Sequence, residues 1–405
     1  MRAPAGVPPR IRTDASNPFA HDTLARRVPA IVDGVLERNP DYAPRVKERI
    51  LALAAALRSG APLPDLHAGA PHADEWLEVL AARRGEGWLS SDWFTAENYA
   101  YRCLADASDF WRTGRDPFRS IKLDDYRSAE HRQVLEAAVA IDGQRPERIE
   151  RLLLAAVFGN RMDLSFAAAR ERGVGAEHAD LLIDDRTAAR QVLENGSGPV
   201  HLVLDNAGTE LSVDLVLACR LLELLDAPLV LHVKVHPCFV SDTIARDLDW
   251  FLEASEPDAA ALWNGSSAEA RRCREQLERA RTEGRLRIAP HAFWSGPRSL
   301  WECPPELEHQ FARARLVIVK GDAHYRRVVG DALWPADTPF AAVTSYFPAP
   351  LLALRTLKSD PIAGLRPGQA AQLDAMDAGW RVNAQRAVAC LGGSGSASAG
   401  AGSSG

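Results

Sequence analysis

His201-Leu202-Val203-Leu204-Asp205-Asn206-Ala207-Gly208-Thr209-Glu210 runs from an apolar β-type segment into an acid and an amide, then a small residue and a glycine. Helical spacing follows over residues 211–225. In an open α/β sheet, ligands collect at the carboxyl ends of the strands, which is where this Asp-Asn pair falls. Two hard oxygen donors suit Mg²⁺ or Mn²⁺ better than a structural zinc. Taken alone, the pair reads better as an Asx cap on the following helix. The rest of the chain has to decide.

Working outward, short β-branched runs at 200–204, 229–235, 287–289 and 316–319 alternate with helical spacing at 211–225, 242–254 and 267–283. That grammar predicts an α/β lobe over 173–391 with a largely parallel sheet. Upstream, 21–172 reads helical almost throughout, with apolar residues at i, i+3, i+4 over 46–57 and 128–140. Ser90-Ser91-Asp92-Trp93, followed by Glu97, predicts a capped helix start. Residues 1–20 are Pro- and Arg-rich and predict an irregular N-terminus. The Gly/Ser/Ala stretch 392–405 predicts a disordered tail.

Composition narrows the class. The chain has 405 residues, 46% hydrophobic and 25% charged, the proportions of a soluble globular protein. A net charge of -6 gives no global reason to expect nucleic acid or an anionic membrane as partner. Six cysteines without a C-x-x-C pair fit neither a disulfide framework nor a zinc knuckle, and predict a reducing compartment. No apolar leader or membrane-length run is present, so a cytoplasmic location is expected.

Three further stretches carry chemistry. In Leu231-His232-Val233-Lys234-Val235-His236-Pro237-Cys238-Phe239-Val240-Ser241-Asp242, the residues His232, Lys234 and His236 share one face of a strand. Asp242 then arrives as a third oxygen ligand at a neighbouring strand end, or as another helix cap. Histidine ligation is disfavoured, because nothing else supplies nitrogen donors. In Leu316-Val317-Ile318-Val319-Lys320-Gly321-Asp322, glycine allows close backbone approach to a ligand. Lys320 can neutralise phosphate charge there, and Asp322 can hold a metal, a water or a hydroxyl. In Leu354-Arg355-Thr356-Leu357-Lys358, a guanidinium fork and an ammonium flank a hydroxyl, a set suited to an anionic phosphate. A solvated basic turn carries about equal weight for that stretch alone.

Missing signatures matter as much. There is no P-loop, no complete G-x-G-x-x-G after a strand, no G-x-S-x-G elbow and no H-E-x-x-H.

In order and number, these elements resemble the damage-control phosphatase family, formerly a domain of unknown function, and within it the acidic-residue methyltransferase-like branch. The resemblance runs from about residue 30 to 358. It rests on L-D-N-A-G-x-E-L-x-x-D-L at Leu204–Leu215, F-V-S-D at Phe239–Asp242, K-G-D-x-x-Y-R at Lys320–Arg326 and R-T-x-K at Arg355–Lys358. Supporting stretches are Trp93–Arg102 and Gly159–Ser165, the second of which also reads as a helix C-cap. Thr209, where members often carry an aromatic, and Val157-Phe158, where Leu-Trp is frequent, depart from the pattern and bear on substrate shape.

The resemblance implies a three-layer α/β/α lobe, with a parallel or mixed sheet, beside a helical lobe. It implies a divalent metal (Mn, Ni, Co or Mg) on Asp205, Asn206 and Asp242, and substrate contacts from Asn206, Lys320, Gly321 and Asp322. Arg355 and Lys358 would bind phosphate, with Asp205 and Asp322 as catalytic acids. The implied reaction is hydrolysis of small phosphate monoesters, such as the sugar phosphate fructose 1-phosphate, so the partner is a small phosphorylated metabolite.

Three rivals stand beside it. A haloacid-dehalogenase-like phosphatase fits Asp205-x-Ala207-Gly208-Thr209, but Ala207 stands where the second acid belongs. An S-adenosylmethionine-dependent carboxyl methyltransferase, an activity also ascribed to this branch, lacks its usual glycine-rich loop here. A binding module without turnover is opposed by the retained acids.

Overall fold

Seven strands form one mixed sheet in the order β1-β7-β6-β5-β2-β3-β4. They are β1 (Leu181–Asp184), β2 (Val200–Val203), β3 (Leu229–Val233), β4 (Leu286–Pro290), β5 (Leu316–Lys320), β6 (Pro350–Thr356) and β7 (Ala387–Gly393). The computed structural model describes residues 1–159, 180–252 and 266–394. Helices of eight residues or more within these are α1 (Val28–Arg38), α2 (Pro44–Ser59), α3 (Trp93–Ala107), α4 (Arg119–Tyr126), α5 (Ala129–Val139), α6 (Arg145–Val157), α7 (Arg186–Asn195), α8 (Thr209–Leu224), α9 (Ala245–Leu252), α10 (Ala268–Thr282), α11 (Asp322–Val329) and α12 (Gln369–Met376).

Side chains alternate across the sheet with the period of two that a strand imposes. Leu202, Leu231, Ile318 and Leu352 face one core, with residues of α5, α6, α8 and α10. Val203, Val317, Val319, Leu351 and Val388 face the other, with Phe293, Tyr325 and Phe340. The expected three layers are therefore present. Tyr126 to Phe158 share the first of these cores, whereas a separate helical core gathers residues from Ile11 to Phe118 and takes in Cys238.

The four expected strands appear at their predicted places, and β2 pairs in parallel with both β3 and β5. Three strands were not foreseen. Residues 350–356 form β6, parallel to β5, where a basic turn was one reading. β7 runs antiparallel to β6 and parallel to β1. Gly392 and Gly393, assigned to the tail by composition, pair with Leu351 and Pro350 in β7, because a ladder needs backbone and not side chains. Residues 395–405 lie outside the described part.

At the N-terminus, a helical turn spans Pro18–Asp22 and the Met1 ammonium pairs with Glu308 at 2.7 Å. The helix expected at 242–254 begins at Ala245. The motif at 159–165 lies, from residue 160 on, outside the described residues.

The cap predicted before Trp93 also differs. Asp92 holds the N-cap position of α3 but caps nothing with its side chain. Asp331 Oδ2 instead accepts from Phe94 N at 3.0 Å. Glu97, read as part of a cap, accepts from Arg326 Nη1 at 2.7 Å. Arg326 also donates to Asp331 Oδ1 at 2.7 Å and lies 3.6 Å from the Trp93 ring centre. This buried cluster ties α3 to α11.

Candidate active site

Because β2, β3, β5 and β6 run parallel in one block, their carboxyl ends share an edge, and Asp205, Asp242, Lys320 and Thr356 meet there. The loops after β2 and β3 are joined by backbone. Thr243 N donates to Asp205 O at 2.7 Å, Ala207 N donates to Ser241 O at 2.6 Å, and Asn206 bridges Asp242. A cavity of about 130 Å³ opens at this edge, lined among others by Asp205, Glu210, Asp322, Thr356 and Lys358, with Val157 and Phe158 as apolar wall.

The Asx-cap reading of Asp205-Asn206 fails for a specific reason. Gly208 is the N-cap of α8, and the cap bonds come from Asp125, which accepts from Thr209 N at 2.8 Å and Thr209 Oγ1 at 2.7 Å. With its helix capped from outside, Asn206 is released. Its Nδ2 donates to Asp205 Oδ2 at 3.0 Å and Glu210 Oε2 at 2.9 Å, while its Oδ1 accepts from Ser241 Oγ at 2.8 Å.

Asp205 is buried, and its carboxyl is pushed up to about 7. Burial is the main cause and the nearby charge of Glu210 adds to it, against the opposing lysines 234, 358 and 320. The Glu210 carboxyl moves the other way: burial would raise it, but Lys320, Lys358 and the Asn206 amide outweigh burial.

Gly321 makes a close approach to the Asp205 side chain, where the Lys-Gly-Asp stretch predicted one to a ligand. Its φ of +84° lies in the left-handed region, and a β-carbon there would strike the Asp205 carboxylate. Asp322 opens α11. Its Oδ1 accepts from Arg355 Nε at 2.7 Å and from Lys358 N at 3.0 Å. Burial pushes the Asp322 carboxyl up, yet Arg355 and Arg326 hold it below the usual carboxylate range.

Two expected phosphate ligands are turned away from the cavity. Arg355 is fully buried. It donates to Asp322, Pro361 O, Ser359 O and Ser359 Oγ, and it lies 4.3 Å from the Tyr325 ring centre. Lys320 directs its ammonium to Asp214 at 3.0 Å, Glu210 at 3.1 Å and the Ala156 carbonyl. A charge in the interior is stable only when paired, and both cations are spent that way. Lys358, by contrast, is exposed and lines the cavity.

The residues fit the divalent cation that the resemblance implies in the chemistry of their donors. Asp205 and Asp242 offer carboxylates and Asn206 an amide oxygen, all hard donors. Among the described residues no three His, Cys, Asp or Glu side chains form a metal-holding group, so such a set depends on the amide. Asp242 Oδ2 is ion-paired with Lys234, and Lys122 Nζ donates to Asp242 O at 2.9 Å. His232 turns to the core and shares a hydrogen bond of 2.8 Å with His201.

Sequence reasoning quoted Glu210 and Asp214 within a motif but gave them no role, and it passed over Asp125. Glu210 was legible in principle, since it stands one helical turn after Asn206. Asp125 was not, being 84 residues from Thr209.

Known proteins match this chain over most of its length. The damage-control phosphatase ARMT1-like domain matches residues 23–373. Several proteins named damage-control phosphatase ARMT1 are similar along most of their length. The Xenopus tropicalis protein is 28% identical over 92% of this chain and 96% of its own, and the Mus musculus protein 29% identical over 89% and 93%. A DUF89 family protein from Pyrococcus horikoshii superposes with a TM-score of 0.49 at 15% identity, over 92% of this chain and 98% of its own. No helix among the described residues is long and apolar enough to cross a membrane. The chain belongs to the damage-control phosphatase ARMT1-like domain family.

Proposed function

We propose that the protein is a divalent-metal-dependent phosphatase of small phosphate monoesters, sugar phosphates such as fructose 1-phosphate among them. The observation that carries this reading is the convergence of Asp205, Asp322 and Lys358 on one small cavity at the strand ends. Phosphoryl transfer asks a protein mainly for positioning and for neutralisation of charge.

Asp205, Asn206 and Asp242 would hold the cation. When bound, it supplies Lewis-acid polarisation of the phosphoryl oxygens. Lys358 meets the phosphate as an exposed cation of the cavity lining. Arg355 acts one step back, holding Asp322 ionised and aimed, so that Asp322 accepts a hydrogen bond from the attacking water or a substrate hydroxyl. Lys320 fixes Glu210, and Glu210 in turn fixes Asn206. Val157 and Phe158 shed water from one side of the cavity and bound the size of the sugar.

The test uses metal-stripped protein. Mn²⁺, Co²⁺, Ni²⁺ or Mg²⁺ is added back singly, and phosphate release is followed from a sugar-phosphate panel, with Asp205→Ala and Asp242→Ala in parallel. Activity restored by metal and lost in both variants is expected. Turnover without metal, or full activity in both variants, overturns the reading.

A further inference from the structure

Lys122, Lys234 and Lys320 are buried, and they are not held alike. Lys122 Nζ meets oxygens of Asp247 at 2.7 Å, Asp116 at 2.8 Å and the Asp242 backbone at 2.9 Å. Lys320 likewise meets Asp214, Glu210 and the Ala156 carbonyl. Lys234 is ion-paired with Asp242 Oδ2 alone, and no other acceptor reaches its Nζ among the described residues. An ammonium has three N–H donors, so this one is loosely held for a buried group. Its Nζ also lies 4.8 Å from the centre of the Phe239 ring, a second place where a cation can rest.

The backbone around the pair is fixed. Lys234 follows β3, and its N donates to Thr243 O at 3.1 Å, while Thr243 N donates to Asp205 O at 2.7 Å. Between Lys234 and Asp242 the chain turns through Phe239 and Val240, whose φ of +46° and +74° both lie in the left-handed region. For a β-branched residue that conformation is costly, and such costs gather at ligand clamps. With the two ends of this turn pinned, the part free to move is the flexible side chain of Lys234.

The Lys234 charge therefore stands in contact with one of the residues that would hold the divalent cation, and it acts on Asp205 as well. Two cations drawn to one carboxylate repel each other, and most strongly where water is excluded.

We propose that Lys234 is a resident competitor for the divalent cation: its ammonium pairs with Asp242, weakens the hold of that site on the metal, and yields by swinging onto the Phe239 ring. The inference rests on the metal reading given above and concerns affinity, not turnover.

Mn²⁺ is titrated into metal-stripped protein without substrate, and the free ion is followed by its electron paramagnetic resonance signal. The proteins are the wild type, Lys234→Met, Lys234→Gln and Lys234→Arg. The first substitution removes the charge at similar length, the second removes it but can still donate to Asp242, and the third keeps it. Lys234→Met and Lys234→Gln should bind Mn²⁺ at least about tenfold more tightly than the wild type, and Lys234→Arg within about threefold of it. General damage to the fold would loosen a metal site, so tightening separates the two causes. Metal-free Lys234→Met should also melt below the wild type, because the buried Asp242 carboxylate has lost its partner, and Mn²⁺ should raise its melting temperature by more. If Lys234→Met fails to fold, Lys234→Gln decides. Unchanged or weaker binding in the uncharged variants, or equal tightening in Lys234→Arg, overturns the proposal. Absence of saturable binding to all four proteins overturns it together with the metal reading. Tight Mn²⁺ binding without phosphate release overturns the phosphatase reading alone, since the titration needs no substrate.

Discussion

The Asp205 carboxylate occupies the space that a β-carbon on Gly321 would need. The loop after β2 and the turn after β5 are therefore shaped to one another, and the left-handed φ of Gly321 is part of that fit. Gly321→Ala should cost roughly 1–3 kcal/mol of stability from the backbone alone. It should also displace Asp205, so phosphatase activity should fall further than stability does. Chemical denaturation and kcat/KM measured side by side check both.

Lys358 and Arg355 stand three residues apart and should behave as opposites. Lys358→Ala removes an exposed cation at the cavity, so kcat/KM should drop by about ten- to a hundredfold, the worth of one charge-assisted hydrogen bond, while the melting temperature holds. Arg355→Ala leaves the part-buried Asp322 carboxylate without its partner and the Ser359 and Pro361 carbonyls without their donor, a loss of about 3 kcal/mol. Melting curves and kinetics on the pair separate the roles. An Arg355→Ala protein as stable as wild type would contradict the buried assignment.

Lys320 faces two carboxylates with one charge, and the fully buried Asp214 is the undercompensated one. Burial pushes its carboxyl from 3.8 to about 7. A carboxyl whose folded pKa is raised binds more protons folded than unfolded, so stability declines as pH rises between those two values. Asp214→Asn removes that contribution. The difference in unfolding midpoint between wild type and variant should therefore shift in the variant's favour as pH climbs through this window. A difference independent of pH would rule the assignment out.

Arg326 joins Glu97 and Asp331 at the contact of α3 with α11. Arg326→Met should destabilise by about 3–5 kcal/mol, because two buried acids lose their partner at once. Adding Glu97→Gln to it should recover part of the loss. Urea midpoints of the single and double variants give the answer.

The strand ends that carry Asp205, Asp242 and Lys320 were legible because a β-branched run stops on polar residues, a contrast visible in one dimension. β6 was hidden: Leu351-Leu352-Ala353-Leu354 has no β-branched residue, and the basic residues after it look solvated. β7 ends on glycines that resemble a linker. The acids of the site could be read, but the fate of the cations could not. Whether Arg355 reaches phosphate or Asp322 depends on the carbonyls of Ser359 and Pro361, and nothing in their order along the chain reveals where those point. Lys358 was singled out together with Arg355, and only burial separates the two.

β7 is the last strand among the described residues, yet it lies in the interior of the sheet, between β1 and β6. A nascent chain halted before residue 387 holds β1 with no neighbour and β6 with an open edge, the kind of row that recruits strands from other molecules. About two hundred residues separate β1 from the strand it pairs with, a long loop to close before any pairing energy is returned. Completion of the sheet thus waits for residues 387–393, and the interval before it is when this protein is most in need of a chaperone.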